Sequence, residues 1–306
     1  MTLGLVLTQA LNGLQLGILL FLLAAGLTLV FGIMNFVNLA HGSLYMMGAY
    51  FAAAAFNGTG SFLLAGVAAV AGSLMLGIAV ERIALSRLYL RDHLDQVLAT
   101  FGLILFFNEI VRIIWGPASV YMNAPEALSG TLNVMGFGYP AYRFAIIAGG
   151  LSVGAGLYWL IHRTRVGMLI RAGATKPEMV SALGVNVGLL NMLVFGLGAA
   201  LAGFAGWMAG PILSVQPGMG EPILILTLVV IVTGGIGSIR GAFYGAMIVG
   251  VVDTIGRAFL PALLREFIER TLAQAAGPAI ASMLIYLLMA IVLAVRPQGL
   301  FPVKHG

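Results

Sequence analysis

One segment of this 306-residue chain carries most of its spaced polar chemistry, residues 162–188. Within it Arg171, Thr175, Glu178, Met179, Val180, Ala182, Leu183, Gly184 and Asn186 have the types and order of a short helix that marks its own ends. Thr175 is placed as an N-cap, and Glu178 three residues later completes a capping box. Pro177 falls in the first turn, where its missing N–H does no harm. Gly184 suits a left-handed C-terminal turn. Met179, Val180 and Leu183 predict an apolar patch on this helix. The patch fits a helix lying on a membrane surface, or a knob seated in a groove of a partner, with Arg171 pairing with an acid on that partner. The knob is the preferred reading.

Other chemistry is largely excluded. A phosphate-binding loop ends in Gly-Lys-Ser/Thr, because the lysine must reach the phosphates. The only lysines are Lys176, before Pro177, and Lys304, before His305, so any ATP must be bound by partner subunits. Absence of cysteine removes disulfides, Cys-ligated zinc and thiol chemistry. The histidines at 41, 93, 162 and 305 have no metal-ligand spacing. No catalytic, cofactor-binding or metal residue is expected. Among acids within apolar runs, Glu109 has Arg112 at i+3 and Asp253 has Arg257 at i+4, so each is expected to be neutralised on its own helix. Glu221, between Pro217 and Pro222, is expected at an interface, near a gate if it has a role. An ion-coupled carrier working alone would need such groups mid-membrane.

The elements that position these groups are membrane helices. No Asp, Glu, Lys or Arg occurs before Glu81. Hydrophobic residues are 61% and charged residues 8% of the chain, which no soluble domain of this size sustains. Apolar runs predict nine spans near 8–33, 38–56, 61–84, 95–115, 141–161, 189–213, 221–237, 241–260 and 275–295. Strict alternation, the mark of a barrel, is missing. The expected fold is an all-α polytopic transmembrane helical bundle, with about 8–9 spans and discontinuous helices. It forms a single transmembrane domain over 1–306, with the loop 162–188 inside it. No basic region precedes the first apolar run, so a cleavable signal peptide is not expected.

Arg82, Arg87, Arg91, Arg163, Arg165, Arg171, Lys176, Arg240, Arg296 and Lys304 fall on one side; Arg112, Arg143, Arg257, Arg265 and Arg270 fall on the other. The larger set belongs in the cytoplasm, which places the N-terminus outside and the C-terminus inside. That asymmetry accounts for the net charge of +5 without nucleic acid as a partner. Trp115, Tyr121, Tyr139, Tyr142 and Trp159 suit interfacial anchors. Residues 260–272 read as an amphipathic helix on the outer surface, with Arg265–Glu269 and Glu266–Arg270 pairs and either a connecting or a binding-protein-docking role.

Two breaks carry the remaining polar groups. One holds Asn35, Asn38, His41 and Ser43, of which the first three would share a face if helical. The other holds Thr233, Gly234, Gly235, Gly237 and Ser238. Leu27-Thr28-Leu29-Val30 recurs as Leu226-Thr227-Leu228-Val229, with Gly42 and Gly241, and Tyr45 and Tyr244, at the same offset. Repeats with broken helices often build a transport pathway, so both breaks are candidates for its lining or gate; bonding between helices is the plainer alternative.

The stretch Gly26–Gly42, containing Asn35-Phe36-Val37-Asn38-Leu39-Ala40-His41-Gly42, resembles the N-terminal signature of branched-chain amino acid permeases of the LivH type. Gly234–Ala242 and Arg296-Pro297-Gln298-Gly299-Leu300-Phe301 resemble later signatures of the same family. Residues 171–186 resemble the coupling segment of ABC importer permeases, although Glu178 is followed by Met179 and Val180 where the general motif has two alanines. The resemblance covers nearly the whole chain. It implies a subunit in a bacterial inner membrane, working with a LivM-like second permease, LivG- and LivF-like ATPases and a periplasmic substrate-binding protein. Urea and short-amide permeases are near relatives and form the alternative within the class.

Overall fold

The computed structural model describes residues 3–302 apart from Val37, Leu90, Met135 and Gly136. Lys304 and His305, and Val37 of the first signature, lie outside the described residues.

All nine expected spans are helices. They are α1 (Leu3–Met34), α2 (His41–Thr59), α3 (Phe62–Ile83), α4 (His93–Trp115), α5 (Ala141–Arg163), α8 (Val187–Ala209), α9 (Gly220–Gly234), α10 (Ile239–Leu264) and α11 (Arg270–Val295). Between α5 and α8 lie two short helices, α6 (Arg165–Thr175) and α7 (Pro177–Ala182). Among the described residues, seven helices are long and apolar enough to cross a membrane. The shorter α2, of 19 residues, and α9, of 15, begin inside the bundle, where Gly42 and Gly220 are buried against each other. The expected discontinuity is therefore located at these two helices.

The centre is α1, flanked by α5, α8, α9 and α10. With lipid as apolar as leucine, close packing rather than hydrophobicity drives helices together, and small residues permit it. Glycines mark the crossings. A Cβ on Gly26 would fall 2.8 Å from the Gly198 carbonyl, and one on Gly48 would fall 2.3 Å from the Gly203 Cα. Gly13 and Gly17 bring α1 equally close to α10. Leucines, valines and phenylalanines on α3, α4 and α11 face outward, as lipid-exposed helices require.

The bundle has two ends. A hairpin end carries an antiparallel pair, β1 (Thr131–Val134) and β2 (Phe137–Pro140), with Thr131 opposite Pro140. These strands were not expected. Tyr139 fixes the pair to the bundle: it is fully buried, and its hydroxyl donates to the Asn12 Oδ1 at 3.1 Å. The other end, the loop end, gathers the breaks, the 84–92 connection and α6–α7. There Phe36 meets Tyr89, Gly32 approaches Gly237, and Arg240 reaches the Tyr158 hydroxyl.

Two expectations about the surface are corrected. Residues 260–272 do not form a separate amphipathic helix. α10 runs on to Leu264, and a turn at 265–269 reverses the chain so that α11 can pack Ala281 on Gly256 and Gly277 on Pro261. The Arg265–Glu269 and Glu266–Arg270 pairs are consequently absent among the described residues. Of the aromatic anchors, only Tyr121 and Trp159 are well exposed, at 74% and 61%. Trp115 packs on Tyr50, and Tyr142 is buried with its hydroxyl donating to the Met208 carbonyl.

The internal echo is matched in structure. With an offset of 199 residues, set by Leu27 and Leu226, the ends of α1 and α9 and the starts of α2 and α10 each coincide within one residue.

Candidate functional site

The protrusion at the loop end is built from a glycine corner. The Thr164 Oγ1 accepts from the Gly167 amide at 3.1 Å and caps α6. A Cβ on Gly167 would fall 2.3 Å from the Ile161 carbonyl, so only glycine permits this sharp turn out of α5. Arg171, exposed, sends its guanidinium back to the Ile161 carbonyl and ties α6 to the end of α5. The expected capping box is absent. Thr175 ends α6, its hydroxyl donating to the Arg171 carbonyl at 2.9 Å, and Lys176 stands at the N-cap of α7 without a side-chain bond. The reason is that α6 extends through Thr175, which leaves no free turn for it to cap. Glu178 remains in the first turn of α7, where its charge suits the helix end.

α7 stops as expected, with Gly184 at φ +85° and its amide donating to the Ser181 carbonyl. The apolar patch divides. Val180 is turned inward at 6% exposure, whereas Met179 and Leu183 project at 61% and 82%. Ala182 is exposed beside them, and Asn186 caps α8 by accepting from the Leu189 amide at 3.0 Å.

The first break is not helical, so Asn35, Asn38 and His41 do not share a face. Asn35 adopts φ +48° and is exposed. Asn38 is fully buried: its Oδ1 accepts from the Ala40 amide at 3.0 Å, and its Nδ2 has no partner. His41 opens α2 with its ring against Gly26 and both ring nitrogens unpartnered. Ser43 is buried next to Gly42. In the second break the Thr233 hydroxyl is buried and unpartnered, Gly235 and Gly237 take φ +112° and +83°, and Ser238 caps α10 through the Gly241 amide.

The acids behave as expected for structural pairs. Glu109 and Arg112 lie 2.8 Å apart, and Asp253 and Arg257 2.7 Å. Arg257 also donates to the Ser282 Oγ on α11. Glu221 has a partner that was not anticipated: the Asn108 amide donates to its Oε1, while the Asn108 Oδ1 accepts from the Gly218 amide at 3.0 Å. An asparagine inside the apolar run of α4 was the available signal. Replacing Asn108 with leucine strands a carboxylate oxygen and a backbone N–H. It should lower stability by about 1–3 kcal/mol, read from thermal unfolding in detergent. At the loop end the Tyr89 hydroxyl donates to the buried Glu81 carboxylate at 2.8 Å. Burial, and then that carboxylate, hold the Tyr89 phenol well above its ordinary pKa.

No group of three metal-ligating side chains occurs among the described residues. The described cleft, about 580 Å³, lies at the hairpin end between Phe62, Tyr142, Phe204 and Trp207, away from both breaks.

A glycine-packed bundle with seven candidate spans and an exposed two-helix loop is a multi-pass membrane protein. More particularly, residues 9–293 match the family described as branched-chain amino acid transport system / permease component, and the chain belongs to it. It is 32% identical to the high-affinity branched-chain amino acid transport permease BraD of Pseudomonas aeruginosa, over 82% of this chain and 86% of that one. It is 29% identical to LivH of Escherichia coli K12, over 96% and 94% of the two chains. A probable LivH of Methanocaldococcus jannaschii shares 26% over 78% and 76%. No solved structure matches.

Proposed function

We propose that the chain is one permease of a binding-protein-dependent ABC importer for branched-chain or related amino acids. The observation that carries this reading is the α6–α7 protrusion, which presents Met179 and Leu183 outward in a chain whose lysines form no phosphate-binding loop. In this reading the protrusion seats in a groove of a LivG- or LivF-like ATPase subunit. A LivM-like permease and a periplasmic binding protein complete the assembly. The loop end faces the cytoplasm of the bacterial inner membrane, which the excess of arginine and lysine there supports.

Force then has a route. Arg171 and the Thr164 cap tie α6 to the end of α5 across the corner. α6 packs on α1 and α8, and α7 packs on α8, so displacing the protrusion displaces the helices that border both breaks. A branched-chain amino acid needs apolar walls and a few hydrogen-bonding groups. Asn38, His41 and Thr233 supply unpartnered groups among apolar helices. Selectivity rests mainly with the binding protein.

Reconstitution tests the proposal. Liposomes holding this chain alone should take up no leucine; adding the second permease, the ATPases, the binding protein and ATP should start uptake. Uptake by the lone chain, driven by a proton or sodium gradient, would reject the proposal in favour of a secondary carrier.

A further inference from the structure

The segment after α11 does not leave the bundle. Residues 296–301 turn back onto the break between α9 and α10. The Leu300 amide donates to the Thr233 carbonyl at 2.9 Å, and the Phe301 amide to the Gly234 carbonyl at 2.8 Å. These are the last carbonyls of α9, which a helix end leaves without partners of its own. Gly299, at φ +81°, approaches so closely that a Cβ on it would fall 2.6 Å from the Gly235 backbone. The Phe301 ring stacks on Tyr244 of α10, with centroids 4.9 Å apart. A distant part of the sequence thus completes the C-cap of α9, and two signatures that read as separate form one structural unit.

The hold is thin. Phe301 is 41% exposed and Tyr244 50%. Arg296, Pro297 and Gln298 are exposed as well. The two backbone bonds end on buried Thr233 and Gly234, but the segment itself buries little apolar area, and such segments open locally at low cost. What the segment holds is the short helix whose opposite end, Gly220, is wedged on Gly42 at the buried start of α2. Letting go would free the last turn of α9 and the left-handed Gly235 and Gly237 beside α1. We propose that the C-terminal segment is a releasable clasp on α9, closed as seen here and open at another stage of transport. What positions it is backbone, the close approach of Gly299 and the Leu300 and Phe301 amides, all of which the substitutions below retain. The proposal rests on the transport reading above.

The chain has no cysteine, so Tyr244→Cys with Phe301→Cys creates a single addressable pair. The double variant is assembled with its partner subunits in liposomes, and the thiols are joined by a short bis-methanethiosulfonate that dithiothreitol later releases. Joining should cut ATP-driven leucine uptake at least about tenfold, with recovery on reduction, as expected when a gating motion limits turnover. Each single variant, treated identically, should stay within about twofold of the untreated chain, since exposed positions tolerate change. Unchanged uptake by protein shown by mass to be joined would overturn the clasp. Failure of the pair to join would overturn it as well, because it removes the stacked geometry. Uptake by this chain alone would instead overturn the transport reading, and the joined pair would still report on the clasp.

Discussion

Replacing Met179 and Leu183 together with aspartate should leave the protein folded in the membrane and abolish ATP-driven uptake by the assembled transporter. Both side chains project from α7 and its C-cap, at 61% and 82% exposure, and contribute little to the core. Substitution at such positions changes stability by no more than about 0.5 kcal/mol. In a groove of an ATPase subunit the same side chains would each contribute about 1.5–3 kcal/mol of apolar burial. Aspartate forfeits that and adds a desolvated charge. The loss of affinity should therefore be at least about a hundredfold, at about 1.4 kcal/mol per tenfold. Basal ATP hydrolysis by the separate ATPases should persist while its stimulation by loaded binding protein disappears. Val180 offers the contrast: buried at 6%, it should cost stability when cut to alanine rather than coupling. Stimulated hydrolysis at the unmodified level in the double aspartate variant would show that the protrusion does not carry the coupling.

The second large effect concerns the packing of α2, α3 and α8. Gly203→Leu should prevent the bundle from assembling. A Cβ at Gly203 would fall 2.3 Å from the Ser73 Oγ and 2.7 Å from the Ala69 carbonyl, and Gly48 presses on the same spot from α2. The carbonyl is backbone and cannot rotate away, so the helices must part. Overpacking of this kind costs about 1–3 kcal/mol or more in a well-packed core. Here separation also loses the contacts of two neighbouring helices. The expected result is loss of a monodisperse peak in size-exclusion chromatography, or a fall in Tm large enough to lie outside the spread of surface variants. Gly102→Leu is the control: nothing lies within 4 Å of its Cβ position on the lipid-facing side of α4, and the variant should behave as the parent does. Equal stability of the two variants would mean that the packing of α8 against α2 and α3 is looser than described.

The helices were legible because the bilayer leaves few choices. Long apolar runs can satisfy their backbone there only as helices, and each of the nine runs became one. The Glu109–Arg112 and Asp253–Arg257 pairs followed from i+3 and i+4 spacing because both stay within one helix, whereas the same spacing at 265–270 gave no pair where the helix breaks. Features that depend on where the chain goes next were not legible. Thr175 and Glu178 have the capping-box spacing, but α6 continues through Thr175, and nothing local to 175–178 says so. The stripe at 260–272 has helical periodicity, yet the need to return α11 to α10 converts its middle, 265–269, into a turn. Tyr139 and Tyr142 have the composition of interfacial anchors but are consumed by bonds to Asn12 and Met208. The clasp on α9 joins Thr233 to Leu300 through backbone groups, which leave no trace in residue type beyond three glycines. That the polar breaks and the 162–188 loop gather at one end of the bundle was legible, and the long-range contacts that hold them there were not.

The account depends on α6–α7 facing the compartment that holds the ATPases. The direct measurement is labelling of a single cysteine at position 183, made by Leu183→Cys in a chain that has no other. A membrane-impermeant maleimide should fail to label it in intact cells and should label it in inside-out vesicles stripped of the ATPase subunits. Labelling from outside intact cells would invert the topology and contradict the coupling scheme.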